Sequence, residues 1–139
     1  MFTKKFKPKT DSFMNRIMSE IATRIIGVRW IVWLSSDGLA RASSPEDLEL
    51  DRPSAMGAAM LSLSERISAE LRSAALHYSL IAGENGLNLL LVLDKDNALL
   101  FNLHPQTSID ALLAEVRRTI QAYALQLKLA PDSWWLKGA

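Results

Sequence analysis

Residues 27–43, GVRWIVWLSSDGLARAS, predict a β-hairpin around which the rest of the chain can be arranged. An apolar strand from Val28 to Leu34 precedes an Asp37-Gly38 turn, and a second short strand follows from Leu39 to Ala42. Asp-Gly is a strong hairpin signal, because the turn requires a positive φ that glycine adopts without steric cost. Both sides of the first strand are largely apolar, which predicts helices on both faces of the sheet.

The composition favours a single soluble domain. The chain has 139 residues, 49% of them hydrophobic, which suits one compact core. A net charge of +1 creates no overall field that would attract nucleic acid. Since cysteine is absent, disulfides and cysteine metal sites are excluded, and a reducing, cytoplasmic location is expected. No apolar run approaches the roughly 20 residues of a spanning helix, so stable membrane insertion is not expected.

The two ends of the chain differ from its centre. Residues 1–11 are basic and are interpreted as a flexible arm, residues 12–130 as the folded domain, and residues 131–139 as a tryptophan-containing tail. The arm is either a solvated tail or an anchor for an anionic partner or lipid headgroup. The two indoles of the tail would each bury about 150–250 Å² against this domain or against a partner. Possible partner contacts are therefore Lys4, Lys5, Trp134 and Trp135.

Three segments have the apolar spacing of amphipathic helices. The first begins at Asp11 or Ser12 and is expected to end in a left-handed cap at Gly27. The second runs from Pro53 to about Ser73. The third begins near Ser108 and is expected to end at Pro131, with a buried row of Ile109, Leu112, Leu113, Val116, Ile120, Tyr123, Ala124 and Leu127.

The second helix carries two rows of side chains at helical spacing. The apolar row is expected to face the core and consists of Met56, Met60, Leu63, Ile67 and Leu71. The small row consists of Ala55, Ala59, Ser62, Arg66, Ala69 and Ser73. Small side chains let another helix approach closely, but alanine is also the best helix former on a plain exposed face. The spacing alone leaves both interpretations open.

Three apolar runs, 76–82, 87–93 and 98–103, predict an antiparallel meander. The first link, GENG at 83–86, contains an Asn-Gly pair, and the second, DKDN at 94–97, is rich in Asp and Asn. The middle run, LNLLLVL, is nearly all apolar. It is therefore expected to be a central strand that is covered on both faces.

The sequence contains no constellation typical of an active site. His77 and His104 lie at opposite ends of the meander, and neither is spaced for catalysis or metal binding. The acidic loop at 46–51 lacks the ligand set of a calcium loop. The GENG link precedes a strand, so it offers no helix N-terminus to a phosphate, and the scattered basic residues form no nucleic-acid platform. We therefore expect no enzyme activity, no cofactor, no metal site and no nucleic-acid partner.

The predicted order of elements resembles the roadblock (dynein light-chain roadblock-type) domain family. The resemblance covers roughly residues 13–127. It is carried by GVRWIVWLSSDGLARAS at 27–43, AMGAAMLSLSERISAEL at 55–71, IAGENGLNLLLVLD at 81–94 and ALLFNLHPQTSIDALLAEVRRTI at 98–120. It implies an α/β (α+β) roadblock/profilin-like fold of order α-β-β-α-β-β-β-α, in which a five-stranded antiparallel sheet lies between one long helix and two terminal helices.

The resemblance also implies a homodimer. Family members pair the edge strand after the long helix with its copy and place the two long helices side by side. For this chain the implied dimer interface consists of Ala55, Ala59, Ser62, Arg66, Ala69, Leu76, Tyr78 and Leu80.

A regulatory role follows from the same resemblance. The family is a platform for small Ras-like GTPases, and some bacterial members, similar to the mutual gliding motility B protein, are GTPase-activating partners that do not insert an arginine finger. The implied function is therefore to bind a small Ras-like GTPase and modulate its nucleotide cycle. The alternative is a scaffold or adaptor that assembles a larger complex without acting on a GTPase.

Overall fold

The hairpin predicted at residues 27–43 forms one end of the sheet. In the computed structural model, which describes residues 10–130, strand β1 (Val28–Ser35) pairs antiparallel with β2 (Ala40–Ser44). Gly38 has a φ of +82°, as the Asp-Gly turn requires. The Asp37 carboxylate accepts hydrogen bonds from the Ser35 hydroxyl and from the backbone N–H of Leu39, which closes the turn.

Within residues 10–130 the chain forms three helices and five strands in the predicted order. The remaining elements are α1 (Ser12–Arg24), α2 (Asp51–Glu70), β3 (Tyr78–Gly83), β4 (Gly86–Asp94), β5 (Asn97–Leu103) and α3 (Ile109–Leu127). The strands form one antiparallel sheet in the order β2-β1-β5-β4-β3. The hairpin therefore ends the sheet at β2, and β3 is the opposite edge.

Helices cover both faces of the sheet, as the apolar pattern of β1 predicts. Ile31 and Trp33 lie in the core beneath α1 and α3, together with Ile17, Met18, Ile21, Leu89, Leu91, Phe101, Leu112, Val116 and Ile120. Val32 and Leu34 lie in a smaller core on the α2 face, together with Leu50, Leu90, Ala98 and Leu100. The first core has two helices above it and the second only one.

The first helix begins where the sequence predicts and ends earlier. The Asp11 carboxylate caps α1 by accepting a hydrogen bond of 3.0 Å from the backbone N–H of Met14. The helix ends at Arg24, and the cap residue Ile25 is extended with a φ of −121°, so the expected left-handed cap is wrong. Gly27 does adopt a positive φ of +104°, but at the entry to β1, where its carbonyl accepts a hydrogen bond from the backbone N–H of His104.

The meander and the last helix also differ from expectation in their boundaries. Strand β3 begins at Tyr78 instead of residue 76. The segment between α2 and β3 is irregular, and within it Ala74 has a left-handed φ of +63°. The first link is a two-residue Glu84-Asn85 turn, and residues 83–86 contain no positive φ, so the Asn-Gly pair is not its centre. Helix α3 ends at Leu127, before Pro131, because Lys128 is left-handed.

A polar network fixes the end of the sheet to the end of the described chain. The buried indole N–H of Trp33 donates to Asn97 Oδ1 at 2.9 Å. Asn97 Nδ2 donates to Asp94 Oδ1 at 2.9 Å, and Asp94 Oδ2 accepts from the backbone N–H of Ala130 at 3.1 Å. Strand β1, the β4–β5 turn and the segment after α3 are thereby held together.

Gly57 lets α2 lie close to the sheet, and substituting it should be costly. A Cβ here would lie 2.3 Å from Leu34 Cδ1 and 3.2 Å from Leu100 Cδ2. We expect Gly57→Val to lower the free energy of unfolding by about 1–3 kcal/mol, because overpacking displaces α2. Gly57→Ala is the matched control, since a gain of about 1 kcal/mol in helix propensity offsets its smaller clash. Urea unfolding measures both, and a valine variant as stable as wild type would contradict this packing.

The turn carboxylate should make the hairpin sensitive to acid. The hydrogen bond from the Ser35 hydroxyl, followed by that from the backbone of Leu39, holds the pKa of Asp37 below its usual value. Its stabilising contribution is therefore present above the unfolded pKa and is lost as the pH falls through the folded pKa. We expect Asp37→Asn to be slightly less stable than wild type at neutral pH and to equal it in acid. Urea unfolding of both proteins at several pH values measures this. A difference in the free energy of unfolding that stayed constant from neutral pH to acid would contradict the expectation.

Candidate functional site

The side of helix α2 that faces the sheet is not the predicted one. Its buried residues are Gly57 and Ser68, and the core packing that the sequence assigns to the apolar row is wrong for most of that row. Of this row only Met60 packs against the core, whereas between 48% and 73% of the surface of Met56, Leu63, Ile67 and Leu71 is exposed. The physical reason is that the absence of a side chain at Gly57 centres the helix–sheet contact there, which rotates the apolar row sideways.

The edge strand β3 also carries exposed apolar side chains. Three large side chains of this strand, Tyr78, Leu80 and Ile81, are 41–56% exposed. Ile81 pairs with Asn88 of β4 and lies on the α2 face, whereas Tyr78 and Leu80 lie on the opposite face. We call the exposed apolar side chains of the two elements, together with Leu71 at the end of α2, the α2–β3 surface: Met56, Leu63, Ile67, Leu71, Tyr78, Leu80 and Ile81.

The free edge of β3 adds backbone groups to this apolar surface. Strand β3 pairs only with β4 within residues 10–130, so its outer side presents unpaired N–H and C=O groups. Next to it, a groove of about 690 Å³ separates α2 from the sheet and is lined by Trp30, Met56, Met60, Leu63, Ile81 and Leu100 among others. An apolar surface of this kind beside an open strand edge is typical of a protein interaction site.

The predicted interface residues all belong to α2, β3 or the residues just before β3. The small row of Ala55, Ala59, Ser62, Arg66 and Ala69 is exposed. Arg66 follows Gly57 by nine residues, two and a half helical turns, so this row faces away from the sheet. Leu76 is half-buried before β3, and Tyr78 and Leu80 are exposed on it.

The sequence does not indicate that the apolar row of α2 is exposed. Met56, Leu63 and Ile67 have the composition of a core row, and Ile81 was not distinguished from its strand neighbours. The signal that points to the true contact row is the set of small residues Gly57, Ser64 and Ser68, which share the sheet-facing side of α2. Lys4, Lys5, Trp134 and Trp135 lie outside the residues that the structure describes.

The polar residues that the sequence singles out lie apart on the surface. His77 and His104 are exposed, and His104 Nδ1 accepts a hydrogen bond of 3.1 Å from the backbone N–H of Gln106. Glu46, Asp47, Glu49 and Asp51 are likewise on the surface. From residue 10 to residue 130, no three His, Asp or Glu side chains are placed to hold a metal ion. In the same range, no helix is both long enough and apolar enough to cross a membrane.

Comparison with solved structures shows what the fold resembles. A Roadblock/LC7 domain from Streptomyces avermitilis superposes with a TM-score of 0.73 at 16% identity, covering 82% of this chain and 97% of that one. MglB from Myxococcus xanthus gives a TM-score of 0.70 at 6% identity, covering 86% and 98%. The gliding protein MglB from Thermus thermophilus gives 0.65 at 14% identity, covering 78% and 84%.

Comparison of the sequence with known families identifies the family of this chain. A search of curated proteins found no match to this sequence. Residues 18–102, more than half of the chain, match the family described as the Roadblock/LC7 domain. That range begins within α1, ends within β5 and includes both α2 and β3. With the sequence match and the shared fold in agreement, the chain belongs to the Roadblock/LC7 domain family.

Proposed function

We propose that this protein is a homodimeric regulatory module that binds a small Ras-like GTPase and modulates its nucleotide cycle. The observation that carries the proposal is the α2–β3 surface, a large apolar area beside an open strand edge. Membership of the Roadblock/LC7 family and the likeness in fold to MglB support the GTPase as partner. The role is regulatory, and we assign catalysis to none of its residues.

In the proposed dimer the two β3 edges pair about a twofold axis and make one continuous sheet. Such an interface is isologous, so each patch meets its own copy. Leu63 and Ile67 of α2 then pack on the partner's α2, and each half-exposed side chain that becomes buried contributes about 1 kcal/mol. Strand pairing also satisfies the backbone groups that the monomer exposes along β3.

Because the small row of α2 faces away from the sheet, it borders the contact that Leu63 and Ile67 make with the partner's α2, and Ala59 is its nearest member. Ala55, Ala59 and Ala69 present little more than a methyl group each, which allows short interhelical distances. Arg66 lies in the same row and is exposed, so its guanidinium can stay hydrated at the margin of the interface. The proposed interface therefore includes the predicted residues Ala55, Ala59, Ser62, Arg66, Ala69, Leu76, Tyr78 and Leu80 together with the apolar row.

The proposed dimer presents its two α2 helices together on one face of the joined sheet. A GTPase that contacts both helices would recognise the dimer and ignore the monomer. We propose that regulation occurs by reshaping the GTPase upon binding, as the family resemblance implies. No arginine of this chain is required to enter the nucleotide site.

The partner is tested with purified small Ras-like GTPases encoded in the same genome. Calorimetry with each GTPase, loaded with GDP or with a GTP analogue, should give binding that depends on the nucleotide, and single-turnover GTP hydrolysis should change when the protein is added. Leu63→Arg, designed to be monomeric, should lose this binding, whereas Ala122→Arg on the exposed face of α3 should keep it. Absence of binding for every GTPase in both nucleotide states would rule the proposal out.

The same assay separates a GTPase regulator from a scaffold. Deleting residues 1–10 and 131–139 leaves the Roadblock/LC7 match intact. GTPase binding that survives both deletions supports the regulator, since the domain alone then suffices. Complete loss of binding would favour an adaptor that uses its termini as contacts.

A further inference from the structure

A second cleft lies where the described chain ends. It has a volume of about 620 Å³ and lies between α2, the segment that joins α2 to β3, and the end of β4. Its apolar lining comes mainly from Ala74, Ala75, Leu76 and Val92, and Ala130, the last described residue, is part of its wall. The chain therefore leaves the described fold directly from this cleft.

The wall of the cleft is held in an uncommon backbone conformation. Arg72 and Ala74 have φ values of +56° and +63°, a region that side-chain-bearing residues seldom adopt. The Ser68 hydroxyl donates to the Ala74 carbonyl at 2.7 Å, and the backbone N–H of Val92 donates to the His77 carbonyl at 2.9 Å. Bonds at both of its ends thus hold the segment in a shape that leaves the cleft open.

Nine residues, PDSWWLKGA, follow Ala130. The hydrogen bond from the Ala130 N–H to Asp94 fixes their starting point at the cleft wall. Trp134 and Trp135 are four and five residues further along, within about 13–18 Å of Ala130 even for a fully extended chain. The length of the segment therefore lets either indole enter the cleft of its own chain.

The lining of the cleft matches the chemistry of an indole. Tryptophan combines a large apolar ring with one N–H donor that requires an acceptor when buried. Ala74 and Ala75 are exposed and small, so they leave room for a flat ring, and Leu76 adds an apolar side chain. The carboxylates of Glu65 and Asp94 are also in the lining and can accept the N–H bond.

From these observations we infer that residues 131–139 dock in the cleft of their own chain by inserting the indole of Trp134 or Trp135. The docked segment covers the irregular residues between α2 and β3, including Leu76 of the proposed interface, and leaves the outer edge of β3 with Tyr78 and Leu80 free for a second copy. This inference depends neither on a GTPase partner nor on the proposed dimer.

Disulfide trapping tests the inference, because the chain has no cysteine of its own. Ala75→Cys in the cleft, combined with Ser133→Cys, should form an intramolecular disulfide under mild oxidation, seen by mass and by mobility on a non-reducing gel. The matched control keeps both cysteines and replaces Trp134 and Trp135 by alanine. The segment then has the same length and the same starting point at Ala130, and it lacks only the indoles.

Each outcome of the trapping experiment decides the inference. A disulfide within one chain at position 75 that forms much more slowly when Trp134 and Trp135 are replaced supports docking. Equal trapping with and without the two indoles, or no trapping at position 75, overturns it. A disulfide between two chains at position 75 overturns the assignment to the same chain, because the cleft would then hold the partner's segment.

Fluorescence quenching provides a second measurement without cysteines. Ala75→Arg places a long charged side chain in the cleft and should displace the indole. The signal of Trp30 and Trp33 is obtained from the Trp134→Phe/Trp135→Phe double variant and subtracted. We expect Ala75→Arg to raise the acrylamide quenching constant of the remaining tail signal at least twofold. An unchanged constant would contradict docking.

Discussion

Replacing Leu63 by arginine is expected to convert the proposed dimer into a monomer. About 60% of the surface of Leu63 is exposed in the single chain, so the substitution should not disturb the fold. In an isologous interface each dimer would bury two guanidinium groups that lack a designed partner, at a cost of about 3–5 kcal/mol. The dissociation constant should therefore rise at least about 100-fold, since each 1.4 kcal/mol is a factor of ten.

Light scattering after gel filtration measures this change, with circular dichroism as a check of the fold. Ala122→Arg introduces the same side chain on exposed α3, on the other face of the sheet, and should retain the dimer mass. Ala59→Arg tests the edge of the small row that lies next to the groove, because Ala59 both belongs to that row and lines the groove. Dissociation of this variant would place that edge of the row inside the interface. A Leu63→Arg protein with the wild-type mass would exclude the interface altogether.

Trp33→Ala is expected to lower the free energy of unfolding by about 3–5 kcal/mol, the usual cost of removing a large buried aromatic side chain. Trp33 is completely buried between the sheet and the α1–α3 layer. Small domains have only about 5–15 kcal/mol of stability, so this variant should be close to unfolding. Urea unfolding followed by circular dichroism measures the loss without relying on tryptophan fluorescence.

Two companion variants separate the causes of this loss. Asn97→Ala removes the acceptor of the Trp33 indole N–H, together with the Asn97 bonds to Asp94 and Arg41, while keeping the indole in the core, and should cost about 1–3 kcal/mol. Trp30→Ala removes an indole from the same strand, but Trp30 is only half-buried and the loss should be smaller. Equal losses at Trp30 and Trp33 would contradict the difference in burial on which the expectation rests.

The buried rows of α1 and α3 were predictable from the spacing of apolar residues in the sequence. Ile17 and Ile21 of α1, and Leu112, Val116 and Ile120 of α3, recur at helical intervals and are all buried. Their rows agree with the structure because each of these helices packs on the sheet by its most apolar side. The Asp37-Gly38 turn was equally predictable, since it depends on residues that are adjacent in the sequence.

The candidate site was predictable only in part. The sequence indicates that α2 has two distinct rows and that a strand follows it, and the predicted interface residues do lie on these elements or just before β3. It does not indicate which row faces the sheet, because Met56, Leu63 and Ile67 are as apolar as core residues. Periodicity measures how a helix is patterned, and burial in the core and burial against a partner produce the same pattern.

By itself the sequence determines the element order, the hairpin turn, the two-sided character of β1 and the membership of the family. These properties depend on local backbone preferences and on apolar periods that neighbouring residues express together. Only the tertiary structure decides that α2 approaches the sheet at Gly57, that its apolar row is left open beside β3, and that the chain leaves the described fold at a cleft. Those properties depend on how elements remote in sequence pack together, and at Gly57 the missing side chain allows α2 to lie close to the sheet.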